Sequence, residues 1–283
     1  MYQQSEMLTE AKKAKYQPKL YILVLIIFVL FITAYLLPQI ILSNIFNRFP
    51  VSGTANEIAF LFLNIITIAA GILYCTKIEK RSLRSMGFTK KRVGRQYILG
   101  LAVSLLMVLF IMGGSALFGA VMIETGRITP MAILFFFGFV IQGMSEEVAL
   151  RGCFMVSAAR SAPISAAIVI NVLFFTIPHY FFSGGQLLFT ANVFLMGIFL
   201  SIYMLRTDNI WGVSGLHTGF NFLCRCLFNS NSDAGNSLFQ VTSNIPGKEW
   251  IGGNSYGISS GLMWTVCIIL FTAMLFIGEK YNT

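Results

Sequence analysis

Two adjacent glutamates, Glu146 and Glu147, lie with Arg151 in the middle of an otherwise apolar segment. A charge at bilayer depth costs at least about 2.5–3.5 kcal/mol per residue. Carboxylates in such a place therefore either have structural partners or take part in chemistry. On a helix, Glu147 and Arg151 are four residues apart and share a face, so the arginine is expected to hold Glu147 ionised. Glu146 points about 100° away from that pair and is free to face other helices.

Both histidines of the chain, His179 and His217, also lie within apolar segments. Asn221 follows His217 by four residues, so the two side chains extend from one face of a helix. Pro178 precedes His179 and removes a backbone donor, a distortion that lipid tolerates only beside a cavity or a neighbouring helix. Distances along the helices place Glu146 and both histidines near the middle of the membrane. We therefore expect one intramembrane polar cavity.

The composition indicates the fold class. The chain has 283 residues, of which 56% are hydrophobic and 11% charged, whereas soluble domains have about 25% charged residues. Apolar segments recur at about the 20 residues that a membrane-spanning helix needs. The sequence therefore predicts an all-α polytopic membrane protein with about eight transmembrane helices. The predicted spans are about 21–42, 57–76, 97–123, 131–159, 163–182, 187–205, 210–228 and 257–278.

The basic residues indicate topology. Fifteen of the 20 Lys and Arg residues fall in segments predicted to be cytoplasmic and three in outer segments, as the positive-inside rule requires. Residues 1–19 are predicted to be a basic cytoplasmic segment, and 20–283 a single membrane domain with both termini in the cytoplasm. The apolar run after residue 19 lacks signal-peptide features and is predicted to be a retained anchor. The net charge of +9 is spread along the flanks of the spans, which does not favour nucleic acid as a partner.

Three motifs resemble those of the CPBP family of intramembrane proteases. They are Glu146-Glu147-x-x-x-Arg151, Phe175-x-x-x-His179 and His217-x-x-x-Asn221, in that order and on separate predicted spans. The family comprises CAAX-prenyl endopeptidases and bacteriocin-processing or Abi proteins. The resemblance covers about residues 131–228, the expected catalytic core.

The resemblance implies a glutamate-dependent peptide hydrolase. Glu146 and His179 would activate water, His217 and Asn221 would stabilise the oxyanion, and the Glu147–Arg151 pair would support them. The implied substrate is a membrane-associated peptide or a lipidated or hydrophobic protein. The composition and short loops suggest a bacterial plasma membrane, where peptide processing of a secreted precursor is the better fit.

Other functions compete with this interpretation. Glu146, His179 and His217 are acceptable zinc ligands, but the sequence has no His-Glu-x-x-His motif, so we expect no metal. The same polar cluster could be structural in a membrane scaffold, a bacteriocin-immunity protein or a sensor-modulating protein. A proton-coupled transporter is disfavoured because no inverted repeat is evident.

Two further polar side chains are candidates for substrate binding. Arg225 lies one turn after Asn221 and could hold a substrate carboxylate, pair with Glu146 or bond backbone carbonyls. Asn171 lies two turns before His179 and could bond into the same cavity.

Overall fold

The computed structural model describes residues 5–229 and 237–277. In chain order its helices are α1 (Glu6–Lys12), α2 (Leu20–Phe46), α3 (Gly53–Ile78), α4 (Val93–Leu117), α5 (Met131–Ala158), α6 (Ile164–Phe182), α7 (Leu187–Thr207), α8 (Ile210–Phe222), α9 (Glu249–Gly252) and α10 (Leu262–Ile277). Short 3₁₀ turns occur at Leu83–Met86 and Ile258–Ser260. The predicted polytopic helical membrane protein is confirmed.

The number of spans differs from the prediction of eight. In the part of the chain described, six helices, α2 to α7, are long and apolar enough to cross a membrane, and α10 is a shorter apolar helix. Helix α8 occupies the predicted seventh span but has 13 residues before it continues as the π-helical turns Leu223–Leu227. Its small and polar residues suit burial among other helices rather than contact with lipid, so the count of eight is not confirmed.

Helix α8 lies at the centre of the bundle and is closely packed against α4. A Cβ atom added to Gly215 would lie 2.2 Å from the carbonyl oxygen of Tyr97, and one added to Gly219 would lie 1.9 Å from Ser104 Oγ. These glycines allow the backbones to approach as small residues do in other membrane interfaces. The helix that carries His217 is therefore fixed against its neighbour.

The carboxylates lie where α5 changes its helical geometry. Regular α-helix runs from Met131 to Glu146 and gives way to π-helical turns over Glu147–Met155. Such insertions are rare and recur at functional sites. A second π-helical segment, Ile32–Leu36, interrupts α2. Tyr35 of this second segment hydrogen-bonds Glu146, the residue at which the regular part of α5 ends.

A small sheet, not predicted from the sequence, joins two connections of the bundle. Strands β1 (Met122–Arg127), β2 (Phe228–Asn229) and β3 (Ser237–Thr242) have the order β1-β3-β2. Strand β3 is antiparallel to β1 and parallel to β2. The third span, predicted to reach residue 123, instead ends at Leu117 because Gly119 turns the chain with φ of 59°.

The bundle has two distinct ends. At the first, which we call the basic end, residues 77–95, 159–163 and 206–211 meet: the backbone N–H of Ile210 donates to the carbonyl of Gly87 at 2.9 Å. At the other, which we call the sheet end, residues 118–130, 183–187, 228–229 and 237–261 meet: Lys248 Nζ donates to the carbonyl of Phe118 at 2.9 Å.

The predicted basic segment 1–19 contains α1, which docks on the basic end. Asp208 accepts hydrogen bonds from the backbone N–H groups of Glu6 at 3.0 Å and Met7 at 3.2 Å. A carboxylate at a helix N-terminus satisfies backbone donors that have no partner within the helix. The described part of the chain does not include residues 1–4 and 278–283. It also leaves out residues 230–236 of the connection predicted at 229–256.

Candidate active site

A cavity of about 350 Å³ lies between α5, α6, α7, α8 and the chain before α10. Four predicted catalytic side chains line it, namely Glu146, His179, His217 and Asn221. They come from three separate helices, α5, α6 and α8. The expected convergence of the fourth, fifth and seventh predicted spans on one cavity is therefore present in the fold.

Hydrogen-bond donors surround the Glu146 carboxylate. Tyr35 Oη donates to Glu146 Oε1 at 2.9 Å, and Gln142 Nε2 donates to the same oxygen. The second oxygen, Oε2, lies 3.7 Å from His217 Nε2. Because Glu146 is only 8% exposed, these groups replace the water that would otherwise solvate the carboxylate. They leave Oε2 directed at the histidine side of the site.

The second glutamate has a different environment. Glu147 Oε1 accepts from Arg151 Nη1 at 3.0 Å and from His217 Nδ1 at 2.7 Å. The side chains of Glu147 and Arg151 are both fully buried, and the guanidinium stacks 4.7 Å from the ring centroid of Phe175. The i,i+4 pairing expected from the sequence is present. Its contact with His217 was not foreseen, and it fixes the orientation of that ring.

The tautomer of His179 follows from its backbone contact. His179 Nδ1 lies 2.8 Å from the carbonyl oxygen of Phe175. A carbonyl can only accept, so Nδ1 carries a proton, and Nε2 of the neutral ring is left as an acceptor. The rings of Phe175 and His179 have centroids 4.9 Å apart. Pro178 lies inside α6 beside this site, as the sequence indicated.

Asn221 and Gln142 form a relay to Glu146. Asn221 Nδ2 donates to Gln142 Oε1 at 2.8 Å, while the amide nitrogen of Gln142 donates to Glu146. An amide NH₂ group has two protons, so Asn221 keeps a second donor for the cavity. The sequence contained a signal for Gln142, since it precedes Glu146 by four residues and shares its face.

The two candidate substrate-binding residues have different positions. Arg225 lines the cavity toward the sheet end. Its Nε and Nη2 atoms each donate to Glu57 at 2.8 Å, and its guanidinium lies 4.7 Å from the ring centroid of Phe135. Asn171 is buried between α6 and α7, where it donates to Ser201 Oγ at 3.3 Å. The structure does not bring Asn171 into the lining of the cavity.

The donor set can be tested against a zinc site. Within residues 5–229 and 237–277, no three His, Cys, Asp or Glu side chains are grouped as metal ligands would be. His217 has its Nδ1 atom engaged with Glu147, and its Nε2 atom faces Glu146 Oε2 at 3.7 Å. A tetrahedral zinc site needs ligand atoms within about 2.3 Å of the ion. The described residues do not group Glu146, His179 and His217 as three such ligands.

The hydrogen bond from Tyr35 in α2 to Glu146 can be tested by mutation. Removing the Tyr35 hydroxyl in Y35F takes one donor from the Glu146 carboxylate, and hydrogen bonds to charged groups contribute about 1.5–3 kcal/mol. For the peptide hydrolysis that the motifs imply, we expect kcat to fall by about tenfold with little change in KM. Y21F is the matched control, because Tyr21 lies in the same helix and is 62% exposed. Equal kinetics for Y35F and wild type would contradict a role for this contact.

One segment of the chain matches a known protein family. Residues 129–223 match the family model described as type II CAAX prenyl endopeptidase Rce1-like. No curated protein matches the chain. The matched segment contains all three motifs and every helix that contributes Glu146, His179 and His217. Residues 129–223 of this membrane protein are therefore similar to the Rce1-like type II CAAX prenyl endopeptidase family, which confirms the resemblance to CPBP intramembrane proteases seen in its motifs.

Proposed function

We propose that this chain is an intramembrane endopeptidase in which Glu146 and His179 activate water to hydrolyse a peptide bond. The observation that carries the proposal is the environment of Glu146. This carboxylate lines a membrane-buried cavity with His179 and His217, and donors from Tyr35 and Gln142 fix one of its oxygens. Its other oxygen receives neither of those two hydrogen bonds and lies 3.7 Å from His217 Nε2.

The proton transfers follow from the hydrogen bonds. A water between Glu146 and His179 Nε2 gives a proton to the carboxylate as its oxygen attacks the peptide carbonyl carbon. The protonated Glu146 then returns that proton to the leaving amine as the C–N bond breaks. A general base with this geometry commonly contributes about 10²–10⁴-fold. The neutral His179 accepts from water because its Nδ1 proton is held by the Phe175 carbonyl.

The charge that develops on the carbonyl oxygen needs hydrogen-bond donors close to the attacking water. His217 donates from Nδ1 to Glu147, so a protonated ring donates from Nε2 into the cavity. Asn221 supplies the second donor from the same face of α8. A preorganised donor of this kind is worth about 3–4 kcal/mol in the transition state. Glu147 holds the His217 ring and Arg151 holds Glu147, so this fully buried pair acts as positioning residues.

The proposed mechanism uses no metal ion. Its test is treatment of the purified protein with a strong chelator, followed by addition of Zn²⁺. We expect hydrolysis to survive the chelator unchanged, since the nucleophilic water is activated by Glu146 and His179. Loss of activity that Zn²⁺ restores would replace this mechanism with one in which the ion lowers the pKa of bound water.

The substrate proposed is a membrane-associated peptide or a hydrophobic or lipidated protein in a bacterial plasma membrane. Comparative peptidomics of cells with the wild-type protein or E146Q tests the activity and needs no chosen substrate. We expect peptides in the membrane or secreted pool that depend on Glu146. Glutamine preserves the shape and most hydrogen bonds, so a non-proteolytic scaffold or immunity protein would retain its phenotype in E146Q. Identical peptide pools would remove the protease proposal.

A further inference from the structure

The cavity is asymmetric along the bundle. From the catalytic cluster it extends past Phe189, in the first turn of α7, to Tyr256 and Ser259 before α10 and to Trp264 in the first turn of α10. Asn229, at the end of β2, also lines it. All of these residues belong to the sheet end or adjoin it. Among residues 5–229 and 237–277, no lining residue comes from 77–95, 159–163 or 206–211.

The basic end is closed by its own contacts. Arg81 Nη2 donates to the carbonyl of Gly152 at 3.1 Å, and Trp211 Nε1 donates to the carbonyl of Thr89 at 2.9 Å. Arg160 pairs with the buried Glu79 at 2.9 Å. These bonds tie the basic segment to α5, to α8 and to the chain just after α5. A peptide entering from this end would have to break them.

The sheet end provides the boundary of the cavity instead. Asn192 Nδ2 donates to the carbonyl oxygens of Ser259 at 2.8 Å and Gly261 at 3.0 Å, which fixes the chain before α10 over the cavity. Tyr256 is 40% exposed, and its ring centroid lies 6.4 Å from that of Phe189. The two rings therefore stand between the cavity and the outside at this end.

We infer that the substrate reaches Glu146 through the sheet end, between Phe189 and Tyr256. The Lys and Arg residues of 77–95 put the basic end in the cytoplasm by the positive-inside rule, so the entry faces the extracytoplasmic side. The inference rests on the proposed function and narrows its substrate class. The substrate is an exported peptide or the outer segment of a membrane protein, and a prenylated protein in the cytoplasm is not one.

The residues that line this route indicate which peptides it accepts. Val193, Met196 and Phe220 are apolar, and Trp264 of α10 closes one side. Arg225 is a cation along this wall and is paired with Glu57. An apolar peptide segment buries its side chains here without leaving a charge unpaired.

The test uses a membrane-impermeant thiol reagent, a methanethiosulfonate with a quaternary ammonium group. The reporter is S259C at the sheet end, and the matched control is K90C at the basic end. Both are made in a C224S background, because Cys224 also lines the cavity. The other native cysteines, Cys75, Cys153, Cys226 and Cys267, are buried. Labelling is measured by intact mass in sealed right-side-out and inside-out vesicles.

We expect S259C to be labelled in right-side-out vesicles and K90C in inside-out vesicles, each at least tenfold faster than in the opposite preparation. Labelling of S259C from the same side as K90C, or from neither side, would overturn the inference. The measurement does not depend on hydrolysis. Failure of the route is therefore distinguishable from failure of the proposed function, which the E146Q peptide pools report.

Discussion

Replacing Glu146 by glutamine is expected to lower kcat for peptide hydrolysis by about 10³-fold, which is within the range lost with a general base. The amide cannot accept the proton of the attacking water, although it fills the same space. Tyr35 Oη, which lies 2.9 Å from Glu146 Oε1, can donate equally well to an amide oxygen. The loss should therefore appear in kcat, with a small change in KM and in the melting temperature.

The matched control is E124Q, which makes the same chemical change in β1 at an exposed position. It should retain wild-type kinetics, because Glu124 does not line the cavity. Kinetics are measured with a peptide recovered from the Glu146-dependent pool. An E146Q protein that hydrolyses this peptide at more than a tenth of the wild-type rate would contradict the role of Glu146 as the base.

Spacing on single helices predicted the parts of the site that lie within one helix. Glu147 and Arg151 form their i,i+4 pair, and His217 and Asn221 line the cavity from one face of α8. The prediction of one shared cavity came from the scarcity of ionisable residues within the spans. Ionisable groups are costly in the membrane, so the deep glutamates and both histidines had reason to share a cavity. That reasoning predicted a common site without giving any distance between helices.

The contacts between helices could not be read from the sequence in the same way. Tyr35 reaches Glu146 from α2 across 111 positions of the chain, and nothing in an apolar span marks one tyrosine as the partner of a distant carboxylate. The bond from His217 to Glu147 depends on how α5 and α8 rotate against each other. The glycines of α8 set that rotation through close packing against α4.

The helices were easier to predict than the connections between them. A run of about 20 apolar residues indicates a span by composition alone. Strand β1 was missed because the apolar run continues past Gly119 into Met122–Arg127 and because these residues acquire their partner only from β3. Strand pairing depends on residues far apart in the chain, which no local pattern records. The entry that we infer at the sheet end depends on these connections and could not be predicted for the same reason.

The second large effect is expected when the buried ion pair is broken. In R151M the Glu147 carboxylate keeps only its contact with His217, because both members of the pair are fully buried and no water replaces the guanidinium. Loss of one partner from a buried pair costs about 3–5 kcal/mol. We expect the melting temperature in detergent to fall by about 10 °C. Methionine is chosen because it preserves contact with the Phe175 ring, on which Arg151 stacks.

A double variant separates charge from packing. In E147Q/R151M the uncompensated carboxylate is gone, and neutral replacements of buried pairs are often tolerated. The double variant should therefore melt higher than R151M, whereas additive effects would make it melt lower. It should still hydrolyse peptide more slowly than wild type, because the His217 ring has lost the anion that stabilises its protonated form. A double variant that melts below R151M would mean that Arg151 stabilises the fold through Phe175 and not through Glu147.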